Sequence, residues 1–540
     1  MALAWAATLA WTSTVCGEPL PLPSTPPVTA PPSTPPVTAP PSTPPVNDAI
    51  EIEIELARPS TAIDLLDMLQ LALRQSPAVS RAAIDIAAAR ADQLAAEGID
   101  DLTLSAQAGL TRSLTWETSG SPGAYLQGAY VQDAAGLAVG VTRHLPSGGT
   151  VSGTASAQAV SESFAPDGQH YEGTFSGLVT SAAANLTHPL LRGYGEHIAR
   201  ADRRRARIET DVASQQQAGE ALNLVRDVII AYWQLAYARQ VVAIHTEGLK
   251  LASEQLRITT TAVRTGTASP TEIPAAEQAI ALREQSLLQA QVTVSELSLS
   301  FRRSVGLEIG RDVLDLAPST PLQAPARTFD VDATIARAIA DNPLLAVLAA
   351  KGRSAELEVE VTEDAIRPRL DIQASLGTTG HATTVGESLK QLGQFDHPTA
   401  MIGLAYEQQI GSRATRGARD RAQALRRRVH VDLEEARREV TASVAHAIDL
   451  LRAAQKRIDV SDRAIVLARR TLEIQKTRFL NGKATNFDVV LRLDELQQAS
   501  VGRALAVSDA LAAEATIDAL TGELLDRYHV RIAGAEHDAS

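Results

Sequence analysis

Two hydroxyl-carboxylate pairs have the spacing in this sequence that most clearly suggests chemistry. Ser269 precedes Glu272 by three positions, and Thr485 precedes Asp488 by three positions. This spacing is typical of a capping box, in which the hydroxyl and the carboxylate accept hydrogen bonds from free N–H groups at a helix start. The same carboxylates, grouped around an axis, would attract cations and disfavour anions. The two roles are compatible, and capping is the simpler interpretation.

Both pairs follow a glycine that interrupts a long amphipathic run. A glycine at this place permits the left-handed backbone that commonly ends a helix, and Pro270 suits the first turn of the next helix. One constant offset relates Gly266 to Gly482, Ser269 to Thr485 and Glu272 to Asp488. The sequence therefore predicts the same helix-turn-helix tip twice.

The other reactive residue types form no recognisable catalytic or metal-binding pattern. The single cysteine, Cys16, excludes an internal disulfide framework and a multi-thiolate zinc site. The histidines lack the spacing of metal ligands, and no phosphate-loop, G-x-S-x-G, H-E-x-x-H or dinucleotide-binding pattern occurs in a suitable context. We therefore expect no cofactor, no metal site and no enzymatic activity.

The composition of the 540-residue chain favours long helices packed along seams. Hydrophobic residues make up 45% and aromatic residues 4%, which is typical of extended helical packing rather than of a large globule. The net charge of −13 argues against a nucleic-acid partner. Beyond the N-terminal segment no stretch approaches the roughly 20 apolar residues of a membrane helix. Any membrane crossing is therefore expected to use strands.

The first 48 residues are expected to precede the folded part of the chain. Residues 1–17 form a short apolar segment that ends in small residues, which is typical of a signal peptide. Cys16 is either a lipidation site or a cysteine beside an ordinary cleavage point, and we favour the second interpretation. Residues 18–48 repeat a proline-rich unit, which predicts an extended spacer.

Two heptad seams share the offset of the tips. Apolar residues recur every seven positions in both seams, which indicates coiled-coil packing and an internal duplication. The seams comprise Val228, Leu235, Val242, Leu249, Leu256 and Val263 in the first copy, and Val444, Leu451, Ile458, Ile465, Leu472 and Phe479 in the second. We expect two repeats, 61–306 and 327–525, followed by a polar tail at 526–540.

Each repeat also contains segments that alternate between apolar and polar residues, which is the signature of a strand. Leu104 and Ile372 belong to the apolar sides of two such segments, and Ser105 and Gln373 belong to the polar sides. An apolar sheet face meets either a second sheet or membrane lipid. The neighbouring helices, expected at about 61–97, 196–264 and 272–305 in the first repeat, are too long to fold back over so small a sheet. We therefore favour strands in a membrane.

The expected number of strands requires an oligomer. Two hairpins per chain predict four strands, and a further hairpin around RHLPSGGTV in the first repeat leaves this number open. Four strands are fewer than the roughly eight of the smallest membrane barrels. A symmetric oligomer must complete the barrel, and three copies would supply twelve strands.

Over residues 61–525 the sequence resembles the TolC-like outer-membrane efflux family. The resemblance rests on the duplicated helix-strand-helix plan, on THPLLRGYG from Thr187, on AYWQL from Ala231, and on the turns RTGTASPTEI and RFLNGKATNFDVV. It implies a mainly α-helical fold with membrane β-strands, in which a homotrimer forms an outer-membrane β-barrel continued by a long coiled-coil α-barrel in the periplasm. The implied partners are outer-membrane lipid, a periplasmic adaptor protein and an inner-membrane transporter.

The resemblance also implies roles for residues at the tips. The pore constriction would involve Asp488, Glu272 and Lys483. The turns that contact the adaptor would include Gly266, Thr267, Gly482 and Lys483. The chain departs from the family pattern at three places, with Leu491 where a second acid often follows, Phe479 where a tyrosine matches, and Ala484 near the place of a linking arginine.

The leading hypothesis is a passive outer-membrane channel that conducts substrates delivered by a partner pump. Pro270 and Pro274 stiffen the first tip, so we expect the second tip to move more easily and Asp488 to affect conduction more than Glu272. The alternative is a structural coiled-coil protein of the cell envelope, which would share the helices but would not need lipid-facing strands.

Overall fold

The computed structural model describes residues 60–121, 124–165, 172–309 and 315–530. The predicted signal peptide (1–17) with Cys16, the predicted spacer (18–48) and residues 531–540 of the predicted tail lie outside the described residues. The first half contains β1 (Ser60–Ile63), α1 (Leu65–Gln75), α2 (Pro77–Glu97), β2 (Thr103–Ser121), β3 (Ala124–His144), β4 (Thr150–Ala165), β5 (Glu172–Pro189), α3 (Glu196–Ala199), α4 (Ala201–Arg264) and α5 (Glu272–Val305). The second half contains β6 (Asp315–Pro318), α6 (Val331–Asp341), α7 (Pro343–Asp364), β7 (Arg369–Ala382), α8 (Val385–Gln394), β8 (Pro398–Glu407), α9 (Arg413–Leu480), α10 (Asn486–Leu520) and α11 (Leu524–Arg527).

Local sequence signals set the ends of the helices. The side chains of Asp64 and Asn342 accept hydrogen bonds from the first turns of α1 and α7. Pro77 and Pro343 begin α2 and α7, where the missing N–H group would have had no partner within the helix. The predicted glycine terminators are confirmed at Gly266 (φ 80°) and Gly482 (φ 68°), and Gly306 (φ 89°) and Gly522 (φ 76°) end helices in the same way.

The expected helices of the first half are present, with one break each in the first two. The segment 61–97 divides at Ser76 into α1 and α2, and the segment 196–264 divides at Arg200 into α3 and α4. The shorter helices α2 and α5 both pack against α4, and α7 and α10 both pack against α9. Each long helix is therefore flanked by two shorter ones.

The predicted seams become packed faces, with a shift in α4. In α9 the predicted seam is buried at Val444, Leu451, Ile458, Leu472 and Phe479. In α4, Val228 and Leu235 are buried, whereas further along the buried positions are Ala252, Gln255, Thr259 and Ala262. The buried side of α4 changes because this helix packs against α10 as well as α5.

β2, β3, β4, β5, β7 and β8 form one six-stranded antiparallel sheet in that order. The sequence left the number of strands open, and the additional hairpin around RHLPSGGTV is present as β3 and β4, so the sheet has six strands rather than four. The first half supplies four strands and the second half supplies two. β2 and β8 are the edge strands, and each has one side without a partner strand among the described residues.

The ladder register sorts the side chains onto two faces. The apolar face includes Leu104, Leu110 and Leu114 of β2, Leu137 and Val139 of β3, Val151 of β4, Ile372 and Leu376 of β7, and Ile402, Leu404 and Tyr406 of β8. The polar face includes Ser105 and Gln107 of β2, Ser152 and Ser156 of β4, Ser181 and Asn185 of β5, and Gln373 and Ser375 of β7. Leu104 is 70% exposed and Ile402 is 80% exposed. A face of exposed large aliphatic side chains is unusual for a surface in water.

A short helix that the sequence analysis missed covers part of the apolar face. The Ser388 hydroxyl of α8 lies 2.8 Å from the Thr180 hydroxyl of β5 and donates to the Gly380 carbonyl of β7, at 3.0 Å. A Cβ at Gly380 would collide with the Ser388 backbone. Glycine is therefore required where α8 lies on β7.

Two apolar cores lie between the sheet and the tips, and the first of them joins the halves. The first surrounds Tyr232 and Phe301, and the Tyr232 hydroxyl donates to the Ile63 carbonyl of β1 at 3.3 Å. β1 pairs in parallel with β6, which ties the start of the described chain to the connection between the halves. The second core packs α9 against α10 and α6.

Among the described residues, no single helix is both long and apolar enough to span a membrane. The pair α6 and α7, which is bent by 45° at its junction, passes the same test of length and composition when the two helices are taken together.

Candidate functional site

The first tip (residues 265–271) joins α4 to α5. The Thr267 and Ala268 N–H groups both donate to the Ala262 carbonyl, at 2.9 and 3.2 Å. The Thr267 hydroxyl donates to the same carbonyl at 3.0 Å. These three bonds satisfy the end of α4 and hold Gly266 (φ 80°) outward, where open space surrounds it. The tip therefore exposes a rigid turn rather than a loose loop.

The second tip (residues 481–485) joins α9 to α10 and ends in the predicted capping box. The Lys483 N–H donates to the Arg478 carbonyl at 2.8 Å, around Gly482 with φ 68°. The Asp488 N–H donates to the Thr485 hydroxyl at 3.3 Å, and the Thr485 N–H donates to the Asp488 carboxylate at 2.9 Å. Both halves of the box are present, so the capping prediction is confirmed for this pair.

The capping prediction is wrong for Ser269 and Glu272. α5 begins at Glu272 behind Thr271, which has helical backbone angles (φ −68°, ψ −13°) and makes no side-chain cap. The Ser269 hydroxyl instead lies 2.8 Å from the Thr271 hydroxyl. The Glu272 carboxylate crosses to the other tip and accepts a 3.0 Å hydrogen bond from the Asn486 N–H. The cause is the early helical turn after Pro270, which removes Ser269 from the N-cap position.

Two carboxylates thus act on the N-terminus of α10. Asp488 binds the N–H of Thr485, and Glu272 binds the N–H of the next residue, Asn486. Carboxylates are favoured there because the first N–H groups of a helix are free and carry the positive end of the helix dipole. The structure therefore places these two predicted site residues at one helix end, although they come from different halves of the chain.

A buried polar cluster beneath the second tip was not expected from the sequence. The Gln255 amide donates to the Asn486 side-chain oxygen at 3.1 Å, and the Thr259 hydroxyl lies 3.2 Å from the same oxygen. All three side chains are buried, and the Asn486 Nδ2 has no hydrogen-bond partner. A polar group buried in an otherwise apolar interface is costly unless it is paired. The cluster therefore fixes how α4 meets α10.

The surroundings of Asp488 favour its charged form. Hydrogen bonds from the Thr485 backbone and hydroxyl lower the pKa of Asp488, and the positive charges of Arg478 and Arg492 lower it further. Lys483 is exposed on the same tip, and its carbonyl accepts a 3.5 Å bond from Arg478. The second tip therefore combines one stable anion with several nearby cations.

The places where the chain departs from the family pattern are apolar in the structure. Phe479 is buried with Leu472, Val489 and Leu493, and Ala484 packs against this small core. Leu480, Phe487 and Leu491 have no such cover and are 60%, 69% and 39% exposed. The second tip is therefore held by an apolar core inside and presents apolar side chains outside.

Comparison with known proteins identifies the family. The sequence model of the outer membrane efflux protein family matches residues 143–307 and 334–523. This chain belongs to the outer membrane efflux protein family. Among proteins of curated function, none matches this sequence closely.

Solved structures show that the efflux protein shares its fold with known channels. The outer membrane protein VceC of Vibrio cholerae is 17% identical, with a TM-score of 0.61 and coverage of 85% of this chain and 96% of VceC. The open-state MtrE channel of Neisseria gonorrhoeae is 15% identical (TM-score 0.60, coverage 85% and 89%). The CmeC channel of Campylobacter jejuni is 14% identical (TM-score 0.57, coverage 85% and 86%).

The efflux protein is therefore an outer-membrane channel with a periplasmic extension. The predicted resemblance and the predicted localisation are confirmed. The channel hypothesis is therefore kept, and the alternative of a structural coiled-coil protein is dropped. The 64 residues of α4 separate the sheet from the first tip by roughly 100 Å of helix, at 1.5 Å per residue. The exposed apolar face belongs to the membrane end, and the two tips belong to the periplasmic end.

Within the ranges that the structure describes, no group of three or more histidine, cysteine, aspartate or glutamate side chains is arranged to hold a metal ion.

Proposed function

We propose that the efflux protein works as a homotrimeric passive conduit that receives substrates from an inner-membrane transporter through a periplasmic adaptor. The observation that carries the proposal is the pair of free sheet edges at β2 and β8, combined with an exposed apolar face. A free edge presents unpaired N–H and C=O groups, which cannot be left unsatisfied in lipid. Six strands are also fewer than the roughly eight of the smallest membrane barrels.

The directions of the edge strands support closure by identical copies. β2 runs away from the helices, because it follows α2, and β8 runs back towards them, because it precedes α9. An edge β2 beside an edge β8 of the next copy is therefore antiparallel, like every other pair in the sheet. Head-to-tail contacts of this kind close into a ring when the rotation between copies allows it. We assign three copies from the family resemblance.

The tips supply the surface that fits an adaptor. Leu480 and Phe487 are large, exposed and apolar, and they lie beside the turn at Gly482 and Lys483. Thr267 of the first tip is close, because its carbonyl oxygen lies 3.9 Å from where a Cβ of Gly482 would be. The two tips therefore form one continuous end surface, in which apolar side chains and a lysine are available to a partner.

The same end is the proposed constriction of the conduit. In a trimer Asp488, Glu272 and Lys483 would each occur three times around one axis. Carboxylates concentrated in a narrow passage favour cations over anions. Selectivity would otherwise be coarse, since the conduit is proposed to conduct passively and the driving force comes from the transporter.

Mass and crosslinking test the two parts of the proposal. Light scattering on protein extracted in a mild detergent should give the mass of three copies, and a functional monomer or dimer would contradict the assembly. A photoreactive residue at Lys483 should capture a periplasmic adaptor in intact cells. The matched control is Leu450, which is 51% exposed on α9 but distant from the tips. Equal capture from both positions would argue against docking at the tips.

A further inference from the structure

The first half carries one more hairpin than the second at the same place in the plan. In both halves the first strand follows a short helix, as β2 follows α2 and β7 follows α7. In both halves the last strand leads to a long helix, as β5 leads to α4 and β8 leads to α9. By these flanks β2 corresponds to β7 and β5 corresponds to β8. The strands β3 and β4 have no counterpart and lie between β2 and β5.

This extra hairpin is part of the sheet along its whole length. β3 pairs with β2 from Thr142 opposite Thr103 to Ala124 opposite Ser121. β4 pairs with β5 beginning at Thr150 opposite Thr187. The hairpin is therefore built into the ladder between β2 and β5 and is not a flap resting on it.

The turn of the hairpin is fixed to the junction between β5 and α4. The Gly195 N–H donates to the Ser147 carbonyl at 3.0 Å, and the Ser147 hydroxyl is hydrogen-bonded to the His188 ring at 2.8 Å. Gly148 has φ 95°, and a Cβ there would collide with the Gly193 carbonyl. Only a glycine allows the turn to approach so closely. The hairpin is thus tied to the helical part of its own half.

At its end nearest the helices, the hairpin also obeys the face rule of the neighbouring strands. Leu137 and Val139 of β3 and Val151 of β4 are exposed on the apolar face, and Ser152 and Ser156 lie on the polar face. A strand that meets lipid on one side and water on the other needs this alternation. A hairpin adds one strand that runs towards the helices and one that runs away from them. The edge strands β2 and β8 therefore still run in opposite directions.

We propose that the hairpin β3–β4 is an insertion that widens the membrane barrel of this channel. The inference rests on the proposed trimer, in which three copies of the six-stranded sheet supply eighteen strands rather than twelve. Barrel diameter grows roughly linearly with strand number, so the bore is about 1.5 times that of a trimer without the hairpin. The proposed constriction at the tips, and not the membrane segment, then limits the size of the substrate.

The strand count of the intact protein is the first test. Electron cryomicroscopy of the full chain in lipid nanodiscs should show a trimer with eighteen membrane strands. A trimer with twelve strands, or with β3 and β4 outside the wall, overturns the inference but leaves the proposed function standing. An assembly that is not trimeric overturns the proposed function itself.

The second test removes the hairpin. Deleting residues 122–165 joins the outer end of β2 to residues 166–171, which precede β5 in the chain, and so restores the plan of the second half. Gln107→Cys on the polar face of β2 is present in every protein tested, and maleimide-linked polyethylene glycols of graded size are added outside intact cells. The largest polymer that reaches this cysteine should be smaller in the deletion variant. An unchanged size limit overturns the inference.

Two controls separate a change in the bore of the barrel from other effects of the deletion. Replacing residues 166–171 by a glycine-serine loop of equal length keeps all strands and should keep the size limit of the parent. In a parallel set of proteins Ala108→Cys, on the apolar face beside Gln107, takes the place of Gln107→Cys and should stay unlabelled in every background. If the deletion variant does not assemble, the strand count of the intact trimer still decides the inference.

Discussion

The first half of the chain builds four strands into the sheet, whereas the second half builds two and a short helix, α8. At the opposite end, the second tip has a complete capping box, whereas the first tip has none and sends its carboxylate across to the second. The helices between these ends keep the same plan in both halves. The duplication has therefore been preserved where long helices pack together and has changed at the sheet and at the tips.

The hydrogen bond from the Asn486 N–H to the Glu272 carboxylate affects any opening of the periplasmic end. An outward movement of the first turn of α10 would break the bond from Asn486 to Glu272 and the contacts of Asn486 with Gln255 and Thr259. The second tip lacks the prolines of the first, yet it is held by residues of the first half. Opening of one tip is thus coupled to the other half of the chain.

The largest effect should come from placing a charge on the apolar face. This change tests whether the strands of both halves belong to the same membrane barrel. Leu104→Arg in the first half and Ile372→Arg in the second should each impair assembly, because a cation facing mid-bilayer from a barrel costs roughly 2–4 kcal/mol. The matched changes Ser105→Arg and Gln373→Arg, on the polar face, should be milder. Trimer yield in membranes is the measurement. Tolerance of Ile372→Arg alone would mean that the halves do not share a wall.

The next effect concerns the buried cluster that joins the halves at the second tip. Asn486→Leu leaves the Gln255 amide without its partner, so local stability should fall by roughly 1–3 kcal/mol. Replacing both residues, as Gln255→Leu with Asn486→Leu, should recover most of the loss because no unpaired group remains. Hydrogen exchange at the start of α10 measures the effect. A double variant as unstable as the single one would show that the cluster has a role other than pairing.

A smaller effect is expected on selectivity. Asp488→Asn removes three symmetry-related charges from the proposed constriction, so cation preference in planar bilayers should fall. Glu272→Gln should have less effect, because Glu272 follows the first tip, which Pro270 and Pro274 stiffen. Both variants retain an acceptor oxygen for the bond that each makes. Unchanged selectivity with Asp488→Asn would leave Asp488 as a helix cap only.

Sequence periodicity predicted the helices because their signals are local. α5 has the predicted bounds, and the glycine ends and the capping box at Thr485 follow directly from residue types. The strands of the second half were also recognisable, because large apolar residues such as Ile372 and Leu404 alternate with small or polar ones. These features depend on neighbours in the sequence.

The rest could not be read from local patterns. In β5 alanine occupies both faces, for example at Ala182 and Ala183, so the contrast between the faces is weak. The short helix α8 contains two glycines, which are unfavourable inside a helix, so the sequence pattern did not predict it. Glu272 carries the same spacing signal as Asp488, and only its contact with Asn486, far away in sequence, reveals a different role.

The smallest effect is a pH dependence that should distinguish the two tips. Hydrogen bonds from Thr485 give Asp488 a pKa lower in the folded protein than in the unfolded chain. Such a group stabilises the fold above its unfolded pKa, about 3.9 for an aspartate, and loses that contribution as pH falls through the folded pKa. Hydrogen exchange at the start of α10, corrected for its intrinsic pH dependence, should therefore rise below about pH 4. Asp488→Asn should abolish this rise, and its persistence in that variant would assign the pH dependence to another group.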